Sequence, residues 1–190
     1  MDPRITKLAD LMVNYSNKVS RGNIVQIGGP IVTMPLMQAV YEKCIEAGAN
    51  PFCEFEASWM QETLLKKGRK KQIDFLPPWK TDQIEAVDCL FRFLGETNTR
   101  ALSGVDPKKQ QQRLKAMKPV RDIMHRRMDD ESIRWCLTLF PTEAYAQDAD
   151  MSLSDFEDFV FKACKVDQKD PIAAWKKVRR EQEKMVNYLT

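Results

Sequence analysis

The 190-residue chain contains one histidine, His125. A histidine-rich metal centre cannot be built from one imidazole. No Gly-x-Ser-x-Gly elbow accompanies Ser103, so a serine-hydrolase arrangement is not indicated either. His125 lies beside Arg126 and Arg127 near the end of a polar stretch, where it reads as a solvent-facing or helix-terminal charge. The five cysteines include no Cys-x-x-Cys pair; the nearest two, Cys44 and Cys53, are nine positions apart. That odd, scattered set indicates neither a disulfide framework nor a zinc knuckle, and it points to a reducing, cytoplasmic compartment. No apolar run approaches the roughly 20 residues of a membrane helix, and the charged opening Met1-Asp2-Pro3-Arg4 lacks a signal-peptide core. Neither Gly-x-Gly-x-x-Gly nor Gly-Lys-Ser/Thr occurs. Charge of one sign is also lacking. Thirty basic residues face 27 acidic ones, a net +3, too mild for a nucleic-acid partner. The densest basic run, Lys66 to Lys71 around Gly68, reads as a solvated helix end because no aromatics interleave it.

What is present is an ordinary apolar share of 43%, with 30% charged residues, enough for one domain over residues 1–190. Helical spacing marks 3–19, 34–47, 59–67, 78–86 and 107–128, followed by two more helices, the last opening at Asp170-Pro171. Asp2 is placed to cap the first helix, and Ser154-x-x-Glu157 offers a capping box to the penultimate one. Between them stand four short apolar runs with strand character, at 24–27, 51–56, 87–94 and 133–140. Strands separated by helices predict an α/β fold. The expectation is a mostly parallel sheet of about four to five strands, with helices on both faces and C-terminal helices.

Three segments could carry chemistry. Gly28-Gly29 follows a strand and precedes a helix, where a phosphate loop would sit, but Pro30 removes a donor, so a structural turn is the default. A free-standing binding module for a nucleotide or small anion near Gly28-Gly29 and Arg100 is the alternative reading of the chain. Asp148, Asp150, Ser152 and Ser154 alternate like calcium ligands, but Leu153 and Phe159 stand where such a loop needs Gly and Glu. The third segment, Asn98 to Pro107, follows the third strand, on the edge where open α/β sheets hold ligands. Asn98 and Arg100 could hold a carboxylate or carbonyl there and Ser103 could add a hydroxyl; the competing reading is that Asn98 and Ser103 satisfy loop backbone while Asp106-Pro107 starts a helix. The segment after the fourth strand, Thr138 to Gln147, shares that edge. Thr142 is placed to cap a helix and Tyr145 to face a cleft.

The stretch Asn98-Thr99-Arg100-Ala101-Leu102-Ser103-Gly104-Val105-Asp106-Pro107 resembles a segment of the aminopeptidase T family, also called the thermophilic metalloprotease family. So does Thr138 to Phe161, with Phe-Pro-Thr-Glu-Ala-Tyr-Ala-Gln and Met-Ser-Leu-Ser-Asp-Phe-Glu-Asp-Phe-Val-Phe. Asp2-Pro3-Arg4-Ile5, Asn14-Tyr15-Ser16 and Asp170 to Trp175 are similar too. The resemblance implies a cytoplasmic, generally dimeric metallo-aminopeptidase that removes N-terminal residues from peptides. It implies a two-metal site of Glu, His, Tyr and Asp ligands holding zinc, cobalt or magnesium, with metals about 3.5–4 Å apart. Family chains are about twice this long, with those ligands in the second half. No metal or catalytic residue is therefore expected here. The chain reads as the N-terminal domain of such an enzyme, expected to be inactive by itself because the ligands lie elsewhere, and Asn98, Arg100, Ser103 and Tyr145 are the candidates to wall the substrate cavity beside the catalytic C-terminal domain.

Overall fold

Four parallel strands form one sheet in the order β2-β1-β3-β4: β1 (Ile24–Pro30), β2 (Asn50–Glu56), β3 (Cys89–Leu94) and β4 (Arg134–Leu139). The structure is a computed structural model and describes residues 2–189. The parallel sheet flanked by helices is the architecture expected from alternating strand and helix signals, and its strand number is four.

Each strand alternates between two faces. One face carries Val25 and Ile27 of β1 and Cys89, Phe91 and Phe93 of β3, all fully buried. They pack against α1 (Pro3–Asp10), its continuation as a π-helical segment (Leu11–Ser16), and α2 (Met34–Glu46). Opposite them, Phe52 and Leu90 meet Ile84 of α5 (Trp79–Ala86) and Val120, Ile123, Met124 and Met128 of α7 (Lys118–Asp129). Between β2 and α5 lie α3 (Ser58–Lys67), the helix expected at 59–67, and the short α4 (Lys70–Ile73), which falls outside the expected helices. The basic run spans these two helices on exposed positions, and Lys66 pairs with Glu62 at 2.6 Å.

Local chemistry explains most ends. The Asp2 carboxylate accepts from the Arg4 N–H at 2.8 Å, capping α1 as expected. The 107–128 stretch is two helices, α6 (Pro107–Ala116) and α7, broken at Met117. Pro119 has no N–H to offer the Lys115 carbonyl, and that missing bond ends the first helix. Past β4 follow α8 (Glu143–Asp148), α9 (Leu153–Ala163) and α10 (Pro171–Leu189). Ser152, not Ser154, caps α9, its hydroxyl accepting from the Asp155 N–H at 3.2 Å. The Trp175 indole donates to the Cys164 carbonyl at 2.9 Å and ties α10 to the body.

Gly28-Gly29 is not a turn. β1 runs through both glycines to Pro30, with Gly28 paired to Glu54 on one side and Arg92 on the other. A backbone committed to two sheet ladders cannot cradle a phosphate. Gly29 is glycine for a steric reason: a Cβ there would lie 2.8 Å from Thr33 Oγ1 and 3.0 Å from Phe93 Cβ. At Gly28 the nearest atom would be Arg92 Nη1 at 3.6 Å, an ordinary contact. Gly29→Ala is expected to cost about 1–3 kcal/mol in urea unfolding, by overpacking β1 against β3. Gly28→Ala should stay within about 0.5 kcal/mol of the parent. Equal effects at the two positions would contradict this account.

Candidate functional site

The strand order reverses between β1 and β3, because the chain steps from β1 outward to β2 and then back across to β3. Their carboxyl ends diverge there, and a cleft opens outside them. It has a volume of about 630 Å³. Pro30 supplies its root. Phe55, Glu56 and the start of α3 form one wall, the loop after β3 (Glu96, Asn98, Thr99 and Leu102) forms the second, and Arg113, Leu114 and Met117 close it.

Of the four residues singled out from the sequence, Asn98 lines this cleft. Its Oδ1 accepts from the Arg100 N–H at 2.9 Å, so it also organises the loop backbone. Arg100 and Ser103 are exposed on the turn beyond and are not among the lining residues; the Ser103 N–H donates to the Arg100 carbonyl at 3.0 Å. Tyr145 is half-buried on α8 against the cluster of Ala146, Phe156 and Val160, and does not line the cleft. It lies within electrostatic reach of Glu96: burial, then the Glu96 charge, pushes the Tyr145 phenol up. The Thr142 hydroxyl accepts from the Tyr145 N–H at 3.3 Å, capping α8 as expected.

Three charged residues of the cleft carried no sequence signal of their own, Glu56, Glu96 and Arg113. Glu56 ends β2 and forms a two-pronged pair with Arg92 of β3, Nη2 to Oε2 at 2.6 Å. Glu96 follows the β3 end. Burial, then repulsion from Glu56, raises its carboxyl above the usual range, with Arg92 acting the other way. The folded chain therefore holds this proton to higher pH than the unfolded chain. The resulting contribution to stability is full below the ordinary glutamate value and is lost as pH rises through the folded one. Glu96→Gln should melt above the parent at about pH 7.5, with the difference closing near about pH 4. A melting difference that is flat across that range would show that the carboxyl is not strained.

Metal chemistry does not fit these residues. Among the described residues no three His, Cys, Asp or Glu side chains gather as a ligand set. His125 sits on the exposed side of α7. The five cysteines are free thiols, and burial pushes Cys44 up to about 12. Among the described residues no helix is long and apolar enough to cross a membrane.

The likeness to known proteins runs along nearly the whole chain. The chain is 25% identical over 202 residues to Aminopeptidase 2 of Geobacillus stearothermophilus, covering 99% of this chain and 48% of that protein. It is 24% identical over 204 residues to Aminopeptidase T of Thermus thermophilus, covering 97% of this chain and 48% of that one. The solved structure of wild-type AmpT from Thermus thermophilus matches with a TM-score of 0.77 at 22% identity, over 98% of this chain and 48% of that chain, a likeness of fold. This chain thus spans about half the length of the curated relatives it matches. The family model for thermophilic metalloprotease (M29) matches residues 1–190 in full. The chain belongs to the thermophilic metalloprotease (M29) family.

Proposed function

We propose that this chain is the N-terminal α/β domain of a metal-dependent aminopeptidase that removes N-terminal residues from peptides. The observation that carries the reading is the family match along residues 1–190, joined to relatives named aminopeptidases of which the chain covers 48%. The domain packs against a catalytic C-terminal domain and contributes a wall of the substrate cavity. Asn98 on the cleft, and Arg100, Ser103 and Tyr145 on the same edge, are its contacts. The metal ligands belong to the other half, where zinc, cobalt or magnesium supplies the Lewis acid and the hydroxide. The enzyme works in the cytoplasm as a homodimer.

The purified 190 residues, incubated with a leucine anilide and cobalt or zinc, should show no turnover. Robust hydrolysis abolished by a chelator would overturn this division of labour. The reading frame beyond Thr190 is expected to continue into Glu- and His-bearing segments, or a companion gene to supply them. Within the complete enzyme, Asn98→Ala should raise KM more than it lowers kcat, because Asn98 would meet substrate away from the reacting bond.

A further inference from the structure

The face of the sheet under α5 and α7 is not filled. A half-open cavity of about 420 Å³ lies there, within the range of small-ligand sites. Its roof and far wall are apolar: Met124 and Met128 of α7, Val120, Met117 at the helix break, and Trp135 on β4. Its other end holds two carboxylates and two cations. The Glu54 carboxylate accepts from Lys80 Nζ at 2.6 Å and from Gln83 Nε2 at 2.7 Å on one oxygen, and from Gln26 Nε2 at 2.9 Å on the other. Glu56 is held by Arg92.

Gly28 forms part of the floor. The Arg92 guanidinium passes over it on the way from β3 to Glu56 on β2, so a Cβ would meet Arg92 Nη1 at 3.6 Å and two carbonyls at 3.9 and 4.0 Å, all ordinary contacts. The charges decide what enters. Two negative and two positive groups sum to zero, so a lone anion or cation gains from one pair and is repelled by the other. A molecule with both an ammonium and a carboxylate is complementary to both. Lys80 and Arg92 retain N–H groups beyond those given to Glu54 and Glu56.

We propose that this cavity binds a small apolar zwitterion, an α-amino acid or dipeptide. Its ammonium faces Glu54 and Glu56, its carboxylate faces Lys80 and Arg92, and its side chain lies among the α7 methionines. The assignment needs nothing from the aminopeptidase reading. Titration calorimetry of this chain with leucine, methionine and phenylalanine should show saturable one-to-one binding. N-acetyl-leucine, which lacks the ammonium, and leucinamide, which lacks the carboxylate, should each bind at least about tenfold more weakly, each losing one charge-assisted contact. Leucyl-leucine binding above leucine would identify the peptide as the occupant, and the reverse order the free amino acid. Gly28→Val fills the floor and Met124→Trp fills the roof; either, with circular dichroism and melting like the parent, should abolish binding. The second variant decides if the first fails to fold. No saturable binding by any of these amino acids or the dipeptide, equal affinity for the blocked forms, or binding that survives a folded filled variant overturns the proposal.

Discussion

Arg127→Met is expected to destabilise the fold by about 3–5 kcal/mol, a large part of the roughly 5–15 kcal/mol that holds a domain together. The Arg127 side chain is only 8% exposed. The carbonyls of Ile84, Glu85 and Val87 lie 2.7, 2.7 and 2.8 Å from its Nη1 and share that nitrogen's two hydrogens. Nη2 donates to the Ser132 carbonyl at 2.8 Å and Nε to the Ser132 hydroxyl at 3.1 Å. One guanidinium thus satisfies the carbonyls at the end of α5, where helices have no partners of their own, and pins α7 and the approach to β4. Methionine keeps the apolar stem and strands those carbonyls in a buried place. Arg126 is the control. It pairs with Glu85 at the surface, with side chains 56% and 47% exposed, and Arg126→Ala should cost at most about 1 kcal/mol. Urea unfolding followed by circular dichroism separates the two through their midpoints at unchanged slope. A loss of under about 1 kcal/mol for Arg127→Met would show that water replaces the guanidinium.

Phe91→Ala is expected to cost a similar amount, about 3–5 kcal/mol. Phe91 is fully buried at the centre of β3, paired to Ile27 on one side and Cys136 on the other, under α1 and α2. Truncation removes the transfer energy of the ring and leaves a hole that a paired strand cannot collapse to fill. On the neighbouring strand Leu137 is 49% exposed, so Leu137→Ala should cost about 1 kcal/mol or less. Comparable losses at both positions would mean that the β3 core is not the load on which the sheet rests.

Some features were legible because their causes are local. Val25 and Ile27, or Phe91 and Phe93, sit two apart, and that period writes a strand into the sequence; Phe156 and Val160, four apart and buried on one face of α9, write a helix. Asp2 and Thr142 cap because a short oxygen-bearing side chain meets its own following N–H groups. Other features were not legible because their partners are far away in sequence. Gly28 and Gly29 look alike, yet a Cβ at the first would make only ordinary contacts and one at the second would meet the Thr33 hydroxyl and Phe93 too closely. Arg126 and Arg127 both read as surface charge on a polar helix, yet α5 buries the second. At the cleft the long loop after β3 was visible as the ligand-bearing edge. Which of its residues face inward was not: Asn98 does, Arg100 and Ser103 face solvent.

By itself the sequence determined the alternation of strand and helix, the parallel α/β class, the family resemblance and the shortage of imidazole, all consequences of residue type and short spacing. Only the tertiary structure decided that β3 lies beside β1. That single adjacency opens the cleft at the strand ends, sets Arg92 against Glu56 and Glu56 against Glu96, and leaves the cavity beneath α7 that Gly28 and Arg92 line. Strand order is chosen by the joint packing of helices on both faces, and no stretch of ten or twenty residues contains that information.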